Sequence, residues 1–281
     1  KVRVAALRAL KKLDEDQFRS ALQVALFSSH EALRAAALKI SSNVSGLNLF
    51  EFIQKTLETG SIAEQRGALS AIRSMTDSRV PGLLGSWLDR LAQKKVTAEI
   101  LLELIESVDG SGVASLETKL AAFRSSLPNE QSAVRHPELM DGGDLAKGRV
   151  VFFEKLEVSC VRCHKIGGEG GEAGPDLTGV GSRKDAAYLL ESVLYPNRAV
   201  AAGFETVVLD LGDDISVGGI IKEDTAEKVV IITPEDGAME FAPDEIKGRS
   251  SGLSAMPESM KDLLTPYEIR DLVAFLSSLK E

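Results

Sequence analysis

The chain has 281 residues, and 33 Lys and Arg against 42 Asp and Glu give it a net charge of −9. This length suits two ordinary domains, or one domain and a repeat array. A hydrophobic content of 44% and a charged content of 27% exclude wholesale disorder, and no apolar run approaches the roughly 20 residues that span a bilayer. The acidic balance argues against nucleic acid as the main partner.

The sequence begins at Lys1, and nothing near that residue resembles a signal peptide. We therefore expect the chain to be a processed form or a fragment. A segment that preceded Lys1 could have carried a targeting signal or another domain.

Charge and glycine are unevenly distributed, which predicts a boundary. Residues 1–128 carry 17 Lys and Arg and 14 Asp and Glu, a net charge of +3, whereas residues 129–281 carry 16 and 28, a net charge of −12. Glycine is sparse at first and frequent after Gly142. We predict a first domain over 1–128, a linker over 129–142 and a second domain over 143–281.

Apolar residues recur at a spacing of 31 residues in the first domain. Within each period, three of them lie at i, i+4 and i+8, which is one stripe of a helix. The recurring positions are Leu7, Leu38 and Leu69; Phe18, Leu49 and Val80; Leu22, Ile53 and Leu84; and Leu26, Leu57 and Leu88. Each period therefore predicts two amphipathic helices. Because a single pair cannot bury both of its apolar faces, neighbouring pairs must stack into an α-solenoid. The residues around Leu7 and Leu38 resemble HEAT repeats, although the period is shorter than usual.

The scarce cysteines and histidines give the clearest chemical signal. The chain has two cysteines, Cys160 and Cys163, and His164 directly follows the second. This is the C-x-x-C-H pattern of c-type haem attachment. Two thiols at this spacing can form thioethers with the two vinyl groups on one side of a porphyrin, and the adjacent histidine then lies under the iron as a ligand. We therefore expect one covalent haem c per chain.

Two other interpretations of the cysteine pair compete with haem attachment. A thioredoxin-like redox motif follows a strand in an α/β sheet, but residues 145–154, which precede the pair, are predicted to be helical. A structural zinc site usually needs a fourth ligand, and the sequence has no further cysteine.

The residues on both sides of the motif resemble a class I cytochrome c domain. A helix is predicted over 144–154, a glycine-rich loop over 167–173 and the run Gly-Pro-Asp-Leu-Thr-Gly over 174–179. The last helix begins with an N-cap at Thr265 and a capping-box glutamate at Glu268.

The resemblance implies two contacts in particular. The carbonyl group of Pro175 would accept a hydrogen bond from Nδ1 of His164, which fixes the ring and makes the ligand more basic. The last helix would cross the first near Gly148, where the missing side chain lets the two backbones approach.

The sixth iron ligand must come from a short set of residues. The remaining histidines and most methionines lie in the predicted solenoid, the linker or a strand-like run: His30, Met75, His136, Met140 and Met239. Met256 and Met260 precede the last helix, and the Met-Pro pair in an irregular loop favours Met256. Ligation by histidine and methionine leaves no open position for a substrate, so it favours an electron carrier over a catalyst.

Short alternating runs separated by turn residues predict a small antiparallel sheet, inserted over about 204–248. With this insert, residues from about 142 to 281 resemble the haem-binding domain typical of planctomycetes and verrucomicrobia, the Pirellula/Verrucomicrobium type. The shared pieces include the attachment motif, the run around Pro175, a leucine helix that ends at Pro196 and the Met256 loop. In that family, the haem domain often follows HEAT-like repeats, and both often follow a β-propeller similar to soluble sugar dehydrogenases.

The sequence thus predicts a mainly α chain, with an N-terminal HEAT-like α-solenoid and a helical cytochrome c domain that carries a small antiparallel β insert. The function we expect is one-electron transfer through a low-spin haem c held by Cys160, Cys163, His164 and Met256. Arg183 could pair with a haem propionate, and a solvated surface side chain without a specific partner is an equally good interpretation. The resemblance implies that the chain is the electron-accepting C-terminal part of a larger periplasmic, dehydrogenase-like protein, and more an electron-transfer module than a catalyst.

Two alternatives come from different functional classes. One is a haem-based sensor or peroxidase-like site whose sixth position is open or labile, and the other is a solenoid interaction protein with a redox-active or metal-binding cysteine pair. Haem attachment takes place outside the cytoplasm, so it predicts a periplasmic or otherwise extracytoplasmic location. The net charge of −12 over residues 129–281 favours a redox partner with a basic docking face.

Overall fold

A computed structural model of the chain describes residues 2–41, 44, 47–109, 111–128, 131–233 and 236–280. The chain divides into two compact units, Lys1–Asn129 and Glu130–Glu281. Most of the secondary structure is helical, and the second unit also contains a five-stranded antiparallel sheet. Within the described ranges, no helix has both the length and the apolar character needed to cross a bilayer.

The first unit contains only α-helices and one short 3-10 turn among its described residues. The helices are α1 Val2–Leu13, α2 Glu15–Leu26, α3 Glu31–Ile40, α4 Leu49–Thr59, α5 Ile62–Ile72, α6 Val80–Ala92, α7 Leu101–Val108 and α8 Ala114–Ser126. Two of the helices begin at capped residues: at the start of α2 Asp14 accepts a hydrogen bond from the N–H of Gln17, and at the start of α5 Ser61 and Glu64 form a capping box. Helices α3 and α5 pack together, as do α6 and α8.

The leucine positions that recur every 31 residues form the core of this unit. Leu7, Leu38 and Leu69 are buried, and so are the three residues of each i, i+4, i+8 stripe. Ion pairs on the surface also join side chains that lie about one period apart in sequence: Arg34 with Glu64 at 2.6 Å, Arg90 with Glu58 at 2.7 Å and Lys119 with Asp89 at 2.6 Å. The same spacing therefore organises both the core and the surface charges.

Most of the predicted linker, 129–142, lies within the second unit. Residues 129 and 130 lie outside the described residues, but 131–142 belong to the second unit and form two 3-10 turns, Ala133–Arg135 and Pro137–Leu139. Ala133 and Leu139 are buried. The proline and the polar residues of this segment are typical of a linker, and two buried apolar side chains were too weak a pattern to indicate packing.

The second unit has five α-helices among its described residues: α9 Leu145–Glu154, α10 Cys160–Cys163, α11 Val180–Arg183, α12 Ala186–Leu194 and α13 Pro266–Ser278. Helices α9 and α13 cross closely at Gly148. A Cβ atom there would lie 2.5 Å from the carbonyl carbon of Asp271 and 2.7 Å from Cβ of Phe275. The rings of Phe152 and Phe275 lie 6.0 Å apart beside the crossing, so α9 and α13 approach as the resemblance implies.

The start of α13 is tied to the end of α9 by Glu268. Its carboxylate accepts hydrogen bonds from the N–H of Thr265 at 2.8 Å and from Nζ of Lys155 at 2.7 Å. Burial by itself raises the pKa of Glu268, but these hydrogen bonds outweigh burial and keep the pKa below its ordinary 4.5.

We expect Glu268→Gln to lower the free energy of unfolding by about 1 kcal/mol at neutral pH, because glutamine keeps the capping geometry and loses the charge opposite Lys155. A carboxyl group whose pKa is lowered by folding stabilises the protein above its unfolded pKa, and this contribution is lost as the pH falls through the folded value. The difference between variant and wild type, measured by thermal unfolding, should therefore shrink as the pH falls below 4.5 and disappear at pH values below the folded pKa of Glu268. A difference that persists there would contradict the assignment.

The antiparallel sheet extends one strand beyond the predicted insert. Its strands are β3 Thr206–Gly212, β4 Ile215–Asp224, β5 Val229–Thr233, β6 Gly237–Phe241 and β7 Gly248–Ser251, in the order β6-β5-β4-β3-β7. A two-stranded hairpin, β1 Lys165–Ile166 with β2 Glu169–Gly170, precedes them. The predicted insert, about 204–248, ends where β7 begins. The sequence of β7 is Gly-Arg-Ser-Ser, which lacks apolar alternation, and its position depends on backbone pairing with β3.

Candidate functional site

The cysteine pair and His164 line one pocket because of the local chain geometry. Ser159 has a φ of 43°, which turns the chain into the single helical turn α10, and the N–H of His164 closes that turn on the carbonyl oxygen of Cys160 at 3.0 Å. Cys160, Cys163 and His164 all face the same cavity. The motif is therefore folded as one continuous wall of the pocket.

The imidazole ring of His164 is oriented by Pro175. Nδ1 lies 3.0 Å from the carbonyl oxygen of Pro175, and because a carbonyl oxygen can only accept, this bond places the proton on Nδ1 and the lone pair on Nε2. Burial lowers the pKa of His164, and the hydrogen bond to Pro175 opposes this only in part. A neutral, fixed ring is the form that binds a metal.

The glycine-rich loop lies directly against this wall. The N–H of Gly171 donates to the carbonyl oxygen of Val161 at 2.9 Å, and that of Gly174 donates to Cys163 at 2.8 Å. A Cβ atom at Gly174 would lie 2.6 Å from Cε1 and 2.8 Å from Nδ1 of His164. The absence of a side chain at this position is what lets the imidazole lie between the loop and the pocket.

Both candidate methionines also line the pocket. Met256 and Met260 come from the segment between β7 and α13, together with Ala255 and Pro257. Three of the other sulfur and imidazole groups make contacts elsewhere: His136 is 3.0 Å from the hydroxyl oxygen of Tyr195, Met75 packs on the core of the first unit, and Met239 packs on the core of the sheet.

Sequence reasoning missed part of the lining. Tyr188 and Ser192 of α12 contribute to the pocket, and so do Phe204 and Ile220 of the sheet region. The alternating pattern marked Ile220 as a sheet residue but carried no information about which side of the sheet faces the pocket.

Arg183 is exposed, ends α11 and belongs to the lining of the pocket. Its guanidinium group donates to the carbonyl oxygens of Thr178 at 2.8 Å and Asp176 at 3.2 Å. These bonds hold together the run that contains Pro175, and a role toward a propionate stays a prediction.

The thiol of Cys160 is not activated. Burial raises its pKa to about 11, and the proximity of Cys163 adds to the rise. Redox-active cysteines have lowered pKa values instead. Among the described residues, no group of three or more His, Cys, Asp and Glu side chains is arranged to hold a metal ion.

The residues present fit a haem. The two thiols can form thioethers with the porphyrin vinyl groups, and the imidazole has its lone pair on Nε2. Met256 and Met260 each offer a thioether sulfur for the one methionine ligand of such a haem c. Apolar side chains from several elements, among them Phe152, Val193 and Leu272, supply the surface that a porphyrin needs.

Comparison with known families agrees with this geometry. Residues 145–208 match the family model of cytochrome c. This part of the chain is a cytochrome c domain. The matched residues begin with α9 and reach β3, so they contain the cysteine pair, the glycine-rich loop and α12. No curated protein is significantly similar to the chain. The cytochrome c domain and its cysteine pair are together consistent with covalent haem c and electron transfer.

Proposed function

We propose that the chain carries single electrons through a covalent, low-spin haem c. The observation that supports this most strongly is the convergence of Cys160, Cys163, the oriented ring of His164 and the Met256 loop on one largely apolar pocket. When bound, a haem c supplies an iron that alternates between the ferric and ferrous states.

Each residue has a separate role in this proposal. Cys160 and Cys163 anchor the ring through thioethers, and His164, fixed by Pro175, binds the iron through Nε2. Met256 would bind the iron through its sulfur. With the iron held by both His164 and Met256, no position would remain for a substrate, so we assign an electron-transfer module rather than a catalyst.

A visible spectrum of the purified protein tests the proposal. We expect covalent haem that stays with the chain in denaturant, and a sharp low-spin α band after reduction. Spontaneous CO binding would favour the haem sensor or peroxidase-like alternative. A protein without a Soret band after expression with the haem-attachment machinery would overturn both haem functions and favour the cysteine-pair alternative, which the raised pKa of Cys160 disfavours.

We expect Gly174→Ala to impair the histidine side of the site. The new methyl group would displace the ring of His164 and break its bond to Pro175. The ratio of Soret absorbance to protein should fall, and the remaining haem should become partly high-spin. Gly218→Ala is the matched control, because a Cβ atom there meets only ordinary contacts at 3.9 Å. Equal haem content and spin state in the two variants would contradict the role of Gly174.

We further propose the context of the module. The buried 31-residue pattern and the ion pairs one period apart support HEAT-like repeats stacked as an α-solenoid in the first unit. By resemblance to the planctomycete and verrucomicrobial domains, the chain is the electron-accepting part of a larger periplasmic, dehydrogenase-like protein.

The charge of residues 129–281 leads to a proposal about the redox partner. A net charge of −12 favours a partner with a basic docking face, and such association weakens as salt screens the charges. Electron-transfer rates with a basic and an acidic small redox protein, measured at low and high salt, test this. Faster transfer to the acidic one would overturn it.

A further inference from the structure

The segment that carries Met256 has little regular structure to hold it. It lies between β7 and a 3-10 turn, Glu258–Leu263, and its residues belong to neither. A methionine ligand needs a defined loop, because a mobile one would let its sulfur leave the iron. The contacts that fix this loop therefore matter for the proposed ligation.

One side chain, Asn197, bonds to the loop on both sides of Met256. Its Oδ1 accepts a hydrogen bond from the backbone N–H of Ser254 at 2.7 Å, and its Nδ2 donates to the carboxylate of Glu258 at 2.8 Å. Ser254 and Glu258 are each two residues from Met256. We call these two hydrogen bonds of Asn197 the bracket around Met256. Between them, the hydroxyl oxygen of Ser254 accepts a hydrogen bond from the N–H of Met256 at 3.2 Å.

Asn197 is itself held in a defined position. It follows Pro196, which is buried and lines the pocket, and the N–H of Arg198 closes a turn on the carbonyl oxygen of Tyr195 at 2.9 Å. The loop has a second anchor before the bracket, where the N–H of Gly252 donates to the carbonyl oxygen of Thr206 at 2.9 Å.

We infer that Asn197 is a positioning residue that holds Met256 in place as the sixth ligand, and this inference rests on the proposed function. A side-chain amide suits position 197 because it offers both an acceptor and a donor. Its oxygen accepts a hydrogen bond from a backbone N–H, and its nitrogen donates one to a carboxylate. Alanine removes both bonds. Aspartate keeps the acceptor, loses the donor and sets a second negative charge beside Glu258.

Imidazole binding to the ferric holoprotein tests the inference, because imidazole competes with Met256 for the iron. We expect Asn197→Ala to bind imidazole about tenfold more tightly than wild type, as the loss of hydrogen bonds of ordinary net strength predicts. The far-red charge-transfer band of methionine-ligated ferric haem should weaken in parallel. Asn197→Asp should behave like Asn197→Ala, and Glu258→Ala, which removes half of the bracket, should show a smaller increase. Ser250→Ala, an exposed hydroxyl deletion in β7, is the control and should match wild type.

Met256→Ala separates the two levels of the proposal. If it binds imidazole more tightly and Asn197→Ala, Asn197→Asp and Glu258→Ala do not, Met256 is a ligand and the role of Asn197 is overturned. If Met256→Ala binds imidazole as wild type does, Met256 is not the ligand, and the role of Asn197 in positioning a ligand is overturned with it. If Asn197→Ala does not fold, Glu258→Ala becomes the test. An unchanged imidazole affinity and an unchanged far-red band in Glu258→Ala would then overturn the positioning role of Asn197.

Discussion

Replacing Met256 with alanine is expected to open the iron site and lower the reduction potential. A thioether ligand favours ferrous iron, and its loss leaves a position for water or an added ligand. Because axial ligands set haem potentials over about 0.8 V, a fall on the order of 0.1 V or more is expected. Redox titration followed by visible spectra gives the potential, and CO binding to the reduced protein reports the open position.

Met260→Ala is the matched control for this prediction. Met260 has the same side chain, lines the same pocket and lies outside the bracket that Asn197 forms around Met256. We expect it to keep the potential and to exclude CO. If Met260→Ala shows the fall and Met256→Ala does not, the ligand is Met260.

The second large effect is expected from Gly148→Ala. A methyl group at this position would overlap the backbone of Asp271. The added Cβ atom would lie 2.5 Å from the carbonyl carbon of Asp271 and closer still to its carbonyl oxygen. Neither helix can yield easily, because α9 and α13 pack against each other and a backbone group cannot rotate away as the end of a side chain can. We expect the variant to lose about 3 kcal/mol of unfolding free energy, measured by denaturant unfolding of the second unit.

Gly218→Ala gives the comparison within the same unit. Gly218 lies in β4, and its added methyl group would meet Val207 and Val208 at 3.9 Å. Because alanine loses less backbone entropy than glycine on folding, this change should be neutral or slightly stabilising. Similar losses from both substitutions would show that the crossing of α9 and α13 has no special demand for glycine.

The features that the sequence predicted well are those encoded by residues close together in the chain. The attachment motif and its histidine lie within five residues, and the 31-residue spacing predicted the buried leucines of the first unit. Caps at Thr265 and Glu268 predicted the start of α13, since each of their hydrogen bonds spans three residues.

The features that were missed depend on partners distant in sequence. Asn197 forms hydrogen bonds with residues 57 and 61 positions further along the chain, on either side of Met256. In the sequence alone, a single asparagine after a proline is typical of an ordinary turn. Strand β7 is polar and is fixed by pairing with β3. The burial of Ala133 and Leu139 depends on the surface they meet, which no local pattern specifies.

The distribution of the pocket along the chain has a consequence for how the protein is made. Cys160, Cys163, His164 and Pro175 are neighbours in sequence, whereas Met256 follows only after the whole sheet. Closing a short loop takes less time and entropy than closing a long one. We therefore expect the side that is attached covalently to form while the opposite side is still open, which leaves both thiols accessible to the assembly machinery before the pocket closes.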